Sequence, residues 1–140
     1  MKVVKIVVIL ALVYVGIVVA FESLLGYFQP AGGTTIVIST SDDDGDKSER
    51  VVTRIDSGGQ LYIAANHWPR AWYRQALENP NVELTIDGVT SAYTAVPVMG
   101  AEYERVDADH PLGPMVRFLT GYPPREFVRM DPVVSAPVSE

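Results

Sequence analysis

The stretch Gln60–Asp87, QLYIAANHWPRAWYRQALENPNVELTID, decides the architecture, because it joins a buried strand, an aromatic-rich helix and a second strand through tight punctuation. Leu61-Tyr62-Ile63-Ala64-Ala65 is a short apolar run opened by the turn pair Gly58-Gly59 and ended by Asn66, the pattern of a mostly buried strand. Pro69 has a fixed φ suited to the first turn of a helix, Asn66 is a candidate cap, and Arg70–Glu78 continues with good helix formers until Asn79-Pro80 stops them. Val82, Leu84 and Ile86 then alternate with Glu83, Thr85 and Asp87, the period of a strand with one wet face. Asp87-Gly88 is the strongest two-residue hairpin signal in the chain.

Upstream, Thr34–Thr40 is rich in β-branched residues and reads as the first strand of the domain. The Asp42–Asp46 run forms an exposed loop, and Arg50–Asp56 returns as the second strand, which Ser57-Gly58-Gly59 turns into Leu61–Ala65. Downstream, Val89–Met99 pairs with Asn81–Asp87 through the hairpin. Ala101–Val106 and Met115–Leu119 are helical on either side of a breaker cluster at His110–Pro114, and Glu126–Met130 makes a last strand. The expected fold is mainly β, a small barrel of about six antiparallel strands with an inserted helix.

The N-terminus is of another kind. Ile6–Phe21 carries no charge and is apolar on every face, unlike the amphipathic helix of a soluble domain. Val3 to Phe21 would run roughly 28 Å as a helix, close to the hydrocarbon thickness of a bilayer once Lys5 snorkels to the interface. A transmembrane anchor is the reading preferred over a cleaved signal peptide, because the apolar core exceeds the usual signal length. Lys2 and Lys5 precede the span and acidic residues follow it, which puts the N-terminus in the cytoplasm and the domain outside. The expected organisation is an anchor over 1–28, a linker over 29–33, the barrel over 34–132 and a loose tail over 133–140.

Composition narrows the function. The net charge of -6 over 140 residues argues against nucleic acid as a partner, and the absence of cysteine removes disulfides, thiolate metal sites and cysteine nucleophiles. No phosphate-binding glycine pattern, Gly-x-Ser-x-Gly elbow or paired-histidine zinc helix occurs, so hydrolase and nucleoside-triphosphate chemistry lack support. His67 and His110 share no element with a well-spaced carboxylate, so no metal is expected, although His67 beside Trp68 could donate a hydrogen bond or a proton. The Asp42–Asp46 run lacks the closing glutamate of a calcium loop, Thr53 standing in that place.

Taken jointly, these spacings resemble the deazaflavin-dependent nitroreductase-like family, whose fold is the split β-barrel of the pyridoxamine phosphate oxidase superfamily. The resemblance runs from about Thr35 to Pro132. It rests on Val51–Asp56 turning through Gly58-Gly59 into Leu61–Ala65, on Trp72-Tyr73 followed by Asn79-Pro80 and Val82–Ile86, and on Tyr122-Pro123 near the C-terminus. It implies a groove for coenzyme F420 or FMN lined by Ala65, Asn66, His67, Trp68, Arg70, Trp72, Tyr73 and Arg74, with Tyr122 beside the substrate. It further implies hydride transfer to a quinone-like or nitro-aromatic small-molecule acceptor, and a homodimer. The basic loop that holds the cofactor phosphate in that family is here Asp42-Asp43-Asp44-Gly45-Asp46, leaving Lys47, Arg50, Arg70 and Arg74 as cationic partners. Against the cofactor reading stands a plainer one, in which Trp68 and Trp72, four apart, plug the barrel mouth, Arg70 and Arg74 form a solvated face, and the barrel is a cofactor-free binding or scaffold protein at the membrane.

Overall fold

Six strands close on themselves in the order β1-β2-β3-β6-β5-β4, every neighbouring pair antiparallel. They are β1 (Thr35–Ser41), β2 (Lys47–Ser57), β3 (Gln60–Ala65), β4 (Asn81–Ile86), β5 (Val89–Pro97) and β6 (Glu126–Pro132), with helices α1 (Lys2–Phe28), α2 (Ala71–Glu78), α3 (Gly100–Asp109) and α4 (Pro114–Leu119). The computed structural model describes residues 1–28, 34–66 and 71–134. The linker expected over 29–33, the helix start at Pro69 and most of the expected tail lie outside the described residues.

The three-strand meander and the Asp87-Gly88 hairpin form as the sequence predicts. Asp87 and Gly88 take φ of 50° and 80°, the left-handed conformation that a two-residue hairpin requires and that Asp and Gly tolerate. β2 begins three residues earlier than its apolar content suggests, because Ser41 pairs with Lys47 and extends the ladder to the loop itself. Closure depends on two pairings between distant segments. Ile38 of β1 meets Leu84 of β4, and β6 inserts between β3 and β5, with Val128 opposite Ile63 and Met130 opposite Ala95.

The apolar run in β3 fails to alternate because both of its faces are covered. Ile63 and Ala65 point into the barrel with Ile38, Leu84, Val128 and Met130, whereas Tyr62 and Ala64 point outward with Phe127 and pack beneath Val106 of α3. On β5 the residues that reach the interior are Tyr93 and Ala95. α3 is held by a polar clasp. Arg129 donates to both oxygens of Glu102 at 2.9 and 3.0 Å and to Asp131, and the Tyr62 hydroxyl donates to Glu102 at 2.8 Å while accepting from Arg105 at 2.9 Å. The Arg129 hydrogen bonds, with smaller help from Tyr62, hold the Glu102 carboxyl below the usual carboxylate range even though burial opposes them.

α1 is long and apolar enough over Lys2–Leu25 to cross a membrane. Its first half stands free on all sides, while Tyr14, Val18, Phe21, Glu22 and Leu25 form a partly or fully buried stripe at helical spacing.

Candidate functional site

α2 caps one end of the barrel, and its orientation is fixed by a shared acceptor: the Thr40 and Ser48 hydroxyls both donate to Gln75 Oε1, at 2.6 and 3.0 Å. That grip turns Trp72 and Ala76 down into the barrel core and leaves Arg74 in solvent. Trp72 is 9% exposed and meets Tyr73 edge-on, ring centroids 6.0 Å apart, so the indole is built into the core and shows only a margin.

That margin borders two hollows. A cavity of about 300 Å³ is lined by Arg50, Thr53, Ala64, Asn66 and Trp72, with Leu25 of α1 and Leu112 and Val116 on its far side. A smaller recess of about 190 Å³ lies between Ser48–Arg50 and Ala71-Trp72. Arg50 and Trp72 border both, so a cation and an indole stand where the two hollows adjoin.

Asn66 ends β3 and is fixed from below by Arg125. The Arg125 guanidinium, 7% exposed as a residue, donates from Nε to Asn66 Oδ1 at 2.9 Å and from Nη1 to Asp107 at 2.8 Å and to the His110 carbonyl. It also lies 4.6 Å above the centre of the Phe127 ring. Asn66 lines the cavity, and among the described residues its side-chain contact is the oxygen that accepts from Arg125. Asn66 was the candidate cap of α2; its side-chain oxygen accepts from this arginine, and the helix start it was expected to cap lies outside the described residues. Arg125 was missed in the sequence because it sits between turn residues with its partners 15 to 59 positions away.

Of the residues anticipated from sequence, Arg50, Asn66 and Trp72 come together at the cavity. Ala65 turns into the barrel interior, and its neighbour Ala64 lines the cavity. Tyr73 is partly buried against the core. Arg74 is exposed, and Tyr122, 62% exposed with φ of 50°, follows α4 and lines neither hollow. His67, Trp68 and Arg70 lie outside the described residues. Lys47 pairs with Glu83 at 2.8 Å, and the acidic loop is internally satisfied, Asp42 Oδ1 accepting the N–H groups of Asp44 and Asp46 at 3.0 and 2.9 Å. His110 faces a further hollow that shares Thr53, Asn66 and Leu112 with the cavity, its Nε2 3.1 Å from the Asp56 carbonyl, and no three metal-ligating side chains converge among the described residues.

No family model matches the chain, and no curated protein does. Solved structures do. The chain is similar to the heme storage protein HutZ from Vibrio cholerae, 16% identical over 82% of this chain and 92% of that one, with a TM-score of 0.57. It is similar to an F420-H2 dependent reductase, FDR-A, at 15% identity over 71% and 95%, TM-score 0.52. It is also similar to a domain-swapped dimer at 17% identity over 72% and 82%, TM-score 0.55. The chain is a split β-barrel. At these identities the likeness carries the fold alone, and proteins of this fold serve different functions, heme storage in one and F420-H2 dependent reduction in the other.

Proposed function

We propose that this split barrel is a membrane-anchored oxidoreductase that uses a flavin or deazaflavin to pass a hydride to a quinone-like or nitro-aromatic acceptor. The observation that carries the reading is the cavity of about 300 Å³ at which Arg50, Asn66 and Trp72 meet. The donor set suits such a cofactor: a planar indole margin, an amide N–H pair pre-oriented by Arg125, and one cation. When bound, the cofactor supplies the hydride chemistry, and the protein supplies binding, orientation and exclusion of water. Trp72 would flank the ring, Asn66 would donate to a ring carbonyl, and Arg50 would meet the phosphate in place of the basic loop that this chain lacks. His67, Trp68 and Arg70 follow Asn66 directly in the chain and are proposed to complete the groove, with Tyr73, Arg74 and Tyr122 at its outer edge. The N-terminus is proposed to be cytoplasmic, the domain outside and the protein a homodimer, as in the domain-swapped relative of its fold.

A second reading is favoured by two observations, the near-complete burial of Trp72 and the acidic Asp42–Asp46 loop. In it the barrel binds a membrane partner and holds no cofactor. An absorbance spectrum of the protein purified from its membrane separates the two. A flavin or deazaflavin band supports the first reading; a colourless protein that leaves the fluorescence of both cofactors unchanged on titration supports the second. A Soret band would assign the groove to heme instead.

A further inference from the structure

We infer that the segment from Pro111 to Pro124 is a second membrane contact, entering the lipid beside α1. The inference rests on the anchor reading of α1 and concerns what α1 takes with it. Phe118 of α4 packs against Tyr14 of α1 with ring centroids 4.9 Å apart and the rings tilted by 41°, the Tyr14 hydroxyl donates to the Phe118 carbonyl at 2.9 Å, and Gly121 stands against Val18. Val18 and Tyr14 precede Phe21, where the uncharged stretch ends, by three and seven positions, which is about 4 and 10 Å along the helix axis. An α4 left in water would therefore hold the end of that stretch out of the bilayer. Full insertion of α1 draws α4 below the surface.

The segment is built for that place. PLGPMVRFLTGYPP carries one charge, Arg117, in fourteen residues. Met115, Phe118 and Tyr122 remain 67%, 43% and 62% exposed despite the packing on α1, an apolar surface continuous with that helix. Backbone polarity, the main obstacle to a short helix in lipid, is largely cancelled. Pro114 at the first turn removes one orphan donor. Three carbonyls of the last turn are occupied: Val116 accepts from the Thr120 hydroxyl and N–H, Arg117 from the Tyr122 N–H, and Phe118 from the Gly121 N–H and from Tyr14. Arg117 is long enough to reach headgroup phosphates from a shallow depth. Because Leu112 and Val116 also wall the 300 Å³ cavity, the cavity then borders lipid, and an apolar acceptor dissolved in the bilayer reaches it without crossing water.

The natural chain has no cysteine, so single-cysteine variants report cleanly. Met115→Cys, Tyr122→Cys, Leu10→Cys and Asp44→Cys are made in the full chain, labelled in detergent with an environment-sensitive fluorophore and reconstituted into phosphatidylcholine–phosphatidylglycerol vesicles containing lipids brominated on the acyl chains. The expected result is quenching at Met115, Tyr122 and Leu10 at least threefold stronger than at Asp44, with blue-shifted emission. Quenching at Leu10 alone, with Met115 and Tyr122 behaving like Asp44, overturns the inference and leaves the anchor intact. Water-like labels at all four positions overturn the anchor reading, and this inference with it.

Discussion

Arg125 Nε lies 2.9 Å from Asn66 Oδ1, tying the end of β3 to the approach of β6 across 59 residues. One buried guanidinium thus sets the orientation of an amide at the edge of the cavity while neutralising Asp107 and covering Phe127. Its removal strips several partners at once. Arg125→Met is expected to destabilise the domain by about 2 kcal/mol, below the cost for a fully enclosed pair because Asp107 can rehydrate. Asp107→Asn should cost less, about 1 kcal/mol, because the asparagine still accepts a hydrogen bond. Chemical denaturation midpoints of the two variants check the order, and equal costs would mean that the Asn66 and Phe127 contacts contribute nothing.

The Glu102 clasp predicts an acid-side loss of stability. Its carboxyl is held low in the folded state, first by Arg129 and next by Tyr62, so its contribution is present above the unfolded carboxylate range. That contribution disappears as pH falls through the lowered folded value. Glu102→Gln should lower stability at pH 7 by about 1 kcal/mol and flatten the decline around and below pH 4.5, where the unfolded carboxylate is half protonated. Thermal melts of both proteins from pH 7 to pH 3 would show the curves converging; parallel curves would contradict the assignment.

Arg50 is the described cation shared by both hollows at Trp72. Arg50→Ala is expected to weaken flavin or deazaflavin binding about tenfold, the loss of one charge-assisted contact, while changing stability by about 0.5 kcal/mol or less. Fluorescence titration set beside a melt distinguishes this from general unfolding. Unchanged affinity would move the phosphate elsewhere.

At Gly121 two effects can be separated. φ is +72°, and an added Cβ would stand 3.0 Å from Val18 Cγ1. Gly121→Ala should cost about 1 kcal/mol from backbone strain and further energy from pressing α4 off α1. Adding Val18→Ala should restore the second part and not the first. A double-mutant cycle on thermal stability in lipid shows whether the two positions couple.

Much of this architecture was legible in the chain. Thr35–Ser41 is dense in β-branched residues, Val82 and Leu84 alternate with wet neighbours, and Asp87-Gly88 can hardly form anything except a tight hairpin, so strands and local pairings follow from short-range chemistry. The apolar helix Lys2–Leu25 was equally plain, because nothing but a bilayer or a deep core accommodates a helix without a polar face.

Tertiary structure decided the rest. The β1–β4 closure and the insertion of β6 between β3 and β5 join segments far apart in sequence, and such pairings leave no local periodicity to read. In Leu61–Ala65 every residue is apolar, so only the packing of α3 on the outer face decided that Ala65 enters the barrel and Ala64 faces the cavity. The sequence determined which segments must be strands, turns and an apolar helix, since those choices are made by bonds and side chains within a few residues. Arg50 and Asn66 already meet across the local β2–β3 hairpin, with Trp72 six residues on; the arginine beneath them was decided by barrel closure, which brings Arg125 within reach of a residue 59 positions away.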